Sequence, residues 1–178
     1  MEKEKILAKI DALIADETFE KSEKYRKVLE VIAEFYVDFF RTEEDEVAIF
    51  FPNKLNTSLR FVYPFYLTES DEIPVNSSKP IVSKIFRSGL SFLENNLVNK
   101  ERLYQYEFIK NYDNEAKIIW KMVGTVIKFN NRKIGVVQVC RKRAPYKEVG
   151  EDFNLNQLNF IEESISKFAP YLDQIQKL

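Results

Sequence analysis

The side chains able to do chemistry in this sequence are few, and the first fact about them is an absence: there is one Cys and no His. Without imidazole there is no Ser-His-Asp triad, no Cys-His pair and no His-based zinc site, which leaves only a carboxylate metal site open. Cys140 follows Val137-Gln138-Val139 in an apolar run and reads as a small buried hydrophobe rather than a redox switch. Arg141, Lys142, Arg143 and Lys147 form a basic run beside Glu148, Glu151 and Asp152. Such a run either draws a phosphate or is a solvated loop of mixed ion pairs worth about 0–1 kcal/mol each, and the second is the reading adopted. Glu43-Glu44-Asp45-Glu46 is the one dense acidic cluster. Neighbouring carboxylates in a turn do not face each other across a cleft, as glycoside hydrolysis requires, so this cluster reads as solvated surface. No nucleophile lies beside a base, and the expected function is non-enzymatic with no cofactor.

Charge and length bound the setting. The 178 residues carry 27 Lys+Arg against 28 Asp+Glu, a net charge of -1, which argues against nucleic acid or an anionic membrane as partner. No apolar run approaches the ~18 residues of a membrane span. The first residues, Met1-Glu2-Lys3-Glu4-Lys5, lead into no uncharged signal core, so a cytoplasmic location is expected.

The elements that must position any site follow from periodicity. Ile6, Leu7, Ile10, Leu13 and Ile14 recur at helical spacing, and Tyr25, Val28, Leu29, Ile32, Phe35, Tyr36 and Phe39 make a second, longer stripe. From Val47 the period changes. Val47 to Phe51 and Leu59 to Tyr63 read as antiparallel strands separated by turn-prone residues. Ser77-Ser78-Lys79-Pro80 announces a short helix through Phe86 that stops at Gly89, and Ser91-Phe92-Leu93 is a brief strand. Residues 94–115 read as a long loop or frayed helix. Ile118 to Phe129 and Ile134 to Cys140 form a hairpin over Asn130-Asn131, with Arg141 to Asp152 as a charged loop. Asn154 and Gln157 make a capping box for a last helix carrying Leu158, Ile161, Ile165, Phe168, Leu172 and Ile175, with Pro170 expected to bend it. The sum is an α+β chain: an antiparallel sheet flanked by helices, the first and last packed together. Residues 1–20 read as a helical extension and 21–178 as the domain.

Residues 25 to 172 resemble a GAF domain, the small-molecule sensor module of signalling proteins. The resemblance is carried by the hairpin Met122-Val123-Gly124-Thr125-Val126-Ile127-Lys128-Phe129-Asn130-Asn131-Arg132-Lys133-Ile134-Gly135-Val136-Val137-Gln138-Val139, and by Ser88-Gly89 ahead of Phe92-Leu93. Val126 stands where the family usually has proline. The family's cyclic-nucleotide motif falls on Arg141, Lys142, Phe153 and Gln157 in degenerate form: Lys and Phe are kept, whereas its Asn, Asp and Glu are not. Cys140 lies at a strand end, away from the loop where chromophore-binding members attach a bilin. A single Cys also excludes the thiol relay of the methionine-sulfoxide reductase branch.

The resemblance implies a pocket between one sheet face and the long loop. It directs attention to Phe61, Tyr63, Phe92, Tyr104, Tyr106, Tyr112, Thr125 and Ile127, whose rings and hydroxyls would suit a planar, partly polar ligand. The alternative is that these rings fill the cleft and the domain is a scaffold for dimerisation or partner docking. The terminal helices are expected to make a homodimer, or else the first folds back on its own domain.

Overall fold

A computed structural model describes residues 3–97, 117–143 and 148–178. Its framework is one six-stranded antiparallel sheet in the order β3-β2-β1-β6-β5-β4. The strands are β1 (Val47–Pro52), β2 (Ser58–Tyr63), β3 (Ile73–Pro74), β4 (Phe92–Glu94), β5 (Ile118–Phe129) and β6 (Arg132–Arg143). The helices are α1 (Lys3–Ala15), α2 (Lys21–Phe40), α3 (Ile81–Ser88) and α4 (Leu155–Ile175). The expected α+β architecture is thus the observed one. No helix of the described residues is long and apolar enough to cross a membrane.

The alternation of side chains along the central strands builds two layers. One face packs Val47, Ile49, Phe51, Val123, Ile127, Val137 and Val139 against α2 and α4, and α1 lies on those two helices. Tyr36 and Phe168 meet edge-on in the middle of this core, and the Tyr36 hydroxyl is 3.0 Å from that of Ser164. The other face carries Phe50, Phe61, Val126 and Val136, covered by α3 and the segment that precedes it. Ile6 and Ile10 of α1 are fully buried in the first layer, so the apolar stripe of this helix packs back on its own chain.

Local signals work as their chemistry requires. Asn130 and Asn131 take φ of 48° and 60°, and Gly89 ends α3 at φ 68°. Asn154 and Gln157 cap α4 reciprocally at 3.0 Å, and α4 continues through Pro170 to Ile175. Two expectations fail. The residue capping α3 is Pro80, with no side-chain cap, rather than one of the serines before it. β6 also runs three residues past Cys140, because Arg141, Lys142 and Arg143 pair with Lys121, Ile119 and Ile118 of β5.

Burial on the helix side has a consequence at high pH. Desolvation, then the carboxylates of Glu44, Glu30, Glu34 and Asp45, push the Tyr63 phenol up to about 12. The folded state therefore holds this proton more tightly than the unfolded chain, whose tyrosine titrates near 10. The stability it contributes is complete below pH 10 and disappears as pH rises towards 12. Tyr63→Phe is expected to retain more stability than the parent in that window and to match its pH dependence below pH 9, as urea melts at stepped pH would show. Burial raises Tyr25, Tyr36 and Tyr66 in the same direction, so the alkaline loss is reduced rather than abolished.

Candidate functional site

The α3-covered face encloses a small cavity. Its floor is Ala48 and Phe50 of β1, Phe61 of β2, Ile119 and Met122 of β5, and Gln138, Cys140 and Lys142 of β6. Pro64, Leu67, Ile73 and the first residues of α3 close its side, and Asp45 stands at one end. The register explains the set: Ala48 faces Gln138 and Met122 faces Cys140 across their ladders, so these side chains share one face. The space open to the centres of water molecules is about 30 Å³, enough for one or two.

The lining is apolar except at three residues, and two of these are unsatisfied. Both oxygens of the Asp45 carboxylate are buried without a hydrogen-bond donor, and the Gln138 Nε2 donor is buried without an acceptor. The ammonium groups beside Asp45 point elsewhere. Lys117 lies 3.6 Å from the carboxylate but donates to Glu43 at 3.0 Å. Lys142 lies 3.8 Å away and donates to the backbone carbonyl of Asp45. That bond to Lys117, ahead of the opposing effect of burial, holds the Glu43 carboxyl below its ordinary value.

Behind this end lies a tight ionic knot. The Glu46 side chain is wholly buried and accepts from Thr42 Oγ1, from the backbone N–H groups of Glu43 and Lys142, and from Arg143 Nη1. Arg141 points to the opposite face, where its guanidinium sits 4.9 Å from the Phe153 ring and donates to the carbonyls of Glu151 and Phe40. Glu43 and Glu44 are exposed, as expected above, whereas Asp45, Glu46, Arg141 and Lys142 turn inward and are not the solvated surface expected. Asp45 and Glu46 are matched by Lys142 and Arg143 at the end of β6, and that neutralisation is what lets them turn inward.

Of the candidate ligand residues, Phe61 lines the cavity and Phe92 packs on the same face. Tyr63 and Ile127 belong instead to the core under the helices. Thr125 also faces that side, its hydroxyl 2.8 Å from Ser91, which in turn donates to Glu162 of α4. Tyr104, Tyr106, Tyr112 and Lys147 lie outside the described residues. Within the motif positions, Lys142 reaches the cavity, Arg141 and Phe153 stack together beneath the sheet, and Gln157 is a helix cap. Asp45, Gln138 and Met122 were not singled out. A lone amide in Ile134-Gly135-Val136-Val137-Gln138-Val139 was the available signal, since polar groups are seldom placed mid-strand between two packed layers. Among the described residues no group of three or more Cys, Asp or Glu is placed to hold a metal ion.

Comparison by sequence finds no matching family model and no matching curated protein. Comparison by structure finds close likenesses. The GAF domain of a phosphoenolpyruvate-protein phosphotransferase from Coxiella burnetii superposes with a TM-score of 0.69 at 8% identity, covering 98% of this chain and 95% of that one. The corresponding GAF domain from Acinetobacter gives 0.66 at 12% identity over 98% and 95%. The GAF domain of a two-component sensor histidine kinase from Bacillus halodurans gives 0.58 at 15% identity over 83% and 95%. With 83–98% of this chain superposing on these domains, the fold of this chain is that of a GAF domain.

Proposed function

We propose that the protein is a non-enzymatic sensory or regulatory domain that binds a small molecule in the cavity over β1, β2, β5 and β6, and that it acts in the cytoplasm. One observation carries the reading: Asp45, ion-paired through one oxygen but hydrogen-bonded through neither, and Gln138, whose Nε2 has no acceptor, present buried polar atoms to a cavity that is otherwise apolar apart from Lys142. A buried polar atom left without a partner costs about 1–3 kcal/mol, so a chain keeps two beside one cavity at a disadvantage that an occupant can remove. Similar domains in a sensor histidine kinase and in phosphotransferases support a regulatory setting. The Lys142 ammonium is turned to the Asp45 carbonyl, and the degenerate motif offers no further anion partner in the cavity. Cyclic nucleotides are accordingly weak candidates.

Native mass spectrometry of the purified protein, followed by a thermal-shift screen of nucleotides and small aromatic metabolites, tests this. A ligand at a hundredfold excess over its dissociation constant is expected to stabilise the fold by ~3 kcal/mol. Ala48→Leu, which fills the cavity, should remove that gain while leaving the unliganded melting temperature close to the parent's. The small free volume favours a second reading, a ligand-free scaffold that dimerises through the terminal helices, of which α4 leaves Leu155 exposed. A protein that no compound stabilises, and that sediments as a dimer, would establish it instead.

A further inference from the structure

We infer that the cavity selects a small neutral molecule carrying an N–H donor and a carbonyl-type acceptor on an apolar body, an amide, in preference to anions, amines and ketones. The inference rests on the ligand-binding reading of the same cavity and specifies its chemistry. What the site lacks defines what it takes. Asp45 Oδ1 accepts from no donor, its Oδ2 has only the ammonium groups of Lys117 and Lys142 at 3.6 and 3.8 Å, and Gln138 Nε2 offers a donor with no acceptor. The complement of that pair is a donor for Asp45 and a lone pair for Gln138.

Charge decides between candidates that meet this pattern. Around the polar end, Glu43, Asp45 and Glu46 are matched by Lys117, Lys142 and Arg143, through ion pairs of 3.0–3.8 Å. The knot is therefore neutral as it stands. An ammonium ligand would reach Asp45 only alongside two ammonium groups already within 4 Å of it, and like charges are costly where water is excluded. An anion would meet the carboxylate itself. A neutral N–H donor gains the free lone pairs of Asp45 without disturbing either balance. Ala48, Phe50, Phe61, Ile119 and Met122 then receive the apolar remainder.

Four probes of nearly equal size separate these classes: acetamide, acetone, acetate and ethylammonium. Each is titrated into 15N-labelled protein while the side-chain amide resonance of Gln138, assigned by its loss in Gln138→Met, is followed. Acetamide is expected to shift that resonance saturably, with an apparent affinity about 10-fold or more above the other three, the ratio one additional good hydrogen bond supplies. In Asp45→Asn the side chain keeps its shape but loses its charge, so the preference for acetamide over acetate should shrink towards parity. If that variant does not fold, the four-probe comparison in the parent protein decides by itself. Equal affinity for acetone, or a preference for acetate or ethylammonium, overturns the amide assignment. Silence of all four probes beside a screen ligand that Ala48→Leu abolishes also overturns it, while leaving the sensory reading standing. Silence of the probes together with an empty screen rejects both, and means that Asp45 and Gln138 are served by water alone.

Discussion

Replacing Glu46 with Ala is expected to destabilise the protein by about 3–5 kcal/mol, the range for removing one partner from a buried ionic network. The carboxylate is fully buried and joins two pieces of chain that are distant in sequence: the link between α2 and β1, through Thr42 and the Glu43 N–H, and the end of β6, through the Lys142 N–H and Arg143. Truncation leaves the Lys142 backbone N–H without its acceptor and the Arg143 guanidinium without its counter-charge, with only the Lys142 carbonyl still accepting from it. Glu46→Gln keeps an acceptor oxygen of the same reach and should cost roughly half as much, since hydrogen bonds to charged groups exceed those to neutral ones. Urea unfolding of the two variants beside the parent checks this. An Ala variant within 1 kcal/mol of the parent would mean that the knot contributes little.

Gly135→Ala is expected to be comparably severe for a steric reason. A Cβ at this position of β6 would lie 2.4 Å from the carbonyl oxygen of Phe50, 3.1 Å from the Phe51 ring and 3.2 Å from Ile127. The nearest of these is backbone in the partner strand, which cannot swing aside as a flexible side chain would. The sheet must open locally or the ladder between β1 and β6 must shift. Overpacking of this kind costs typically 1–3 kcal/mol and occasionally more, and the backbone clash places this substitution at about 3 kcal/mol. With a urea dependence of roughly 2 kcal/mol per molar, the midpoint should fall by about 1.5 M. An unchanged midpoint would show that β1 yields without cost.

Most of the framework was legible in the sequence because its signals are local. The change from helical to strand spacing at Val47, the Asn130-Asn131 turn, Gly89 after α3 and the Asn154/Gln157 cap each depend on a few neighbouring residues, and each element stands where those residues place it. Apart from the cap of α3, the errors have one physical source, which is that burial by a distant partner leaves no local trace. Arg141-Lys142-Arg143 reads as a loop until Glu46, about a hundred residues earlier in the chain, is placed beside it. The facing of β5 was equally hidden. It is sandwiched between two apolar layers, so Met122 to Ile127 are all buried and no polar alternation reveals which side each residue takes. Thr125 and Ile127 were therefore assigned to the cavity, whereas their neighbours on the opposite face include Met122 at its wall. Asp45 was passed over for the same reason, being one of four adjacent acids of which Glu46 and Asp45 turn inward.

The seam between β1 and β6 bears on how the chain assembles. β5 and β6 close over a two-residue turn, and β1 and β2 over a short one, but Val47 meets Val139 across about ninety residues of sequence. Contacts between distant residues are reached only after the entropy of closing the intervening chain has been met, and they set the pace of folding. The two hairpins are thus expected to form early and the seam late, so that Gly135, in the seam, governs the rate of the final joining as well as its stability. Until that step both inner strands present open edges, Val47 to Phe50 and Val136 to Val139, to any other unfinished copy of the chain.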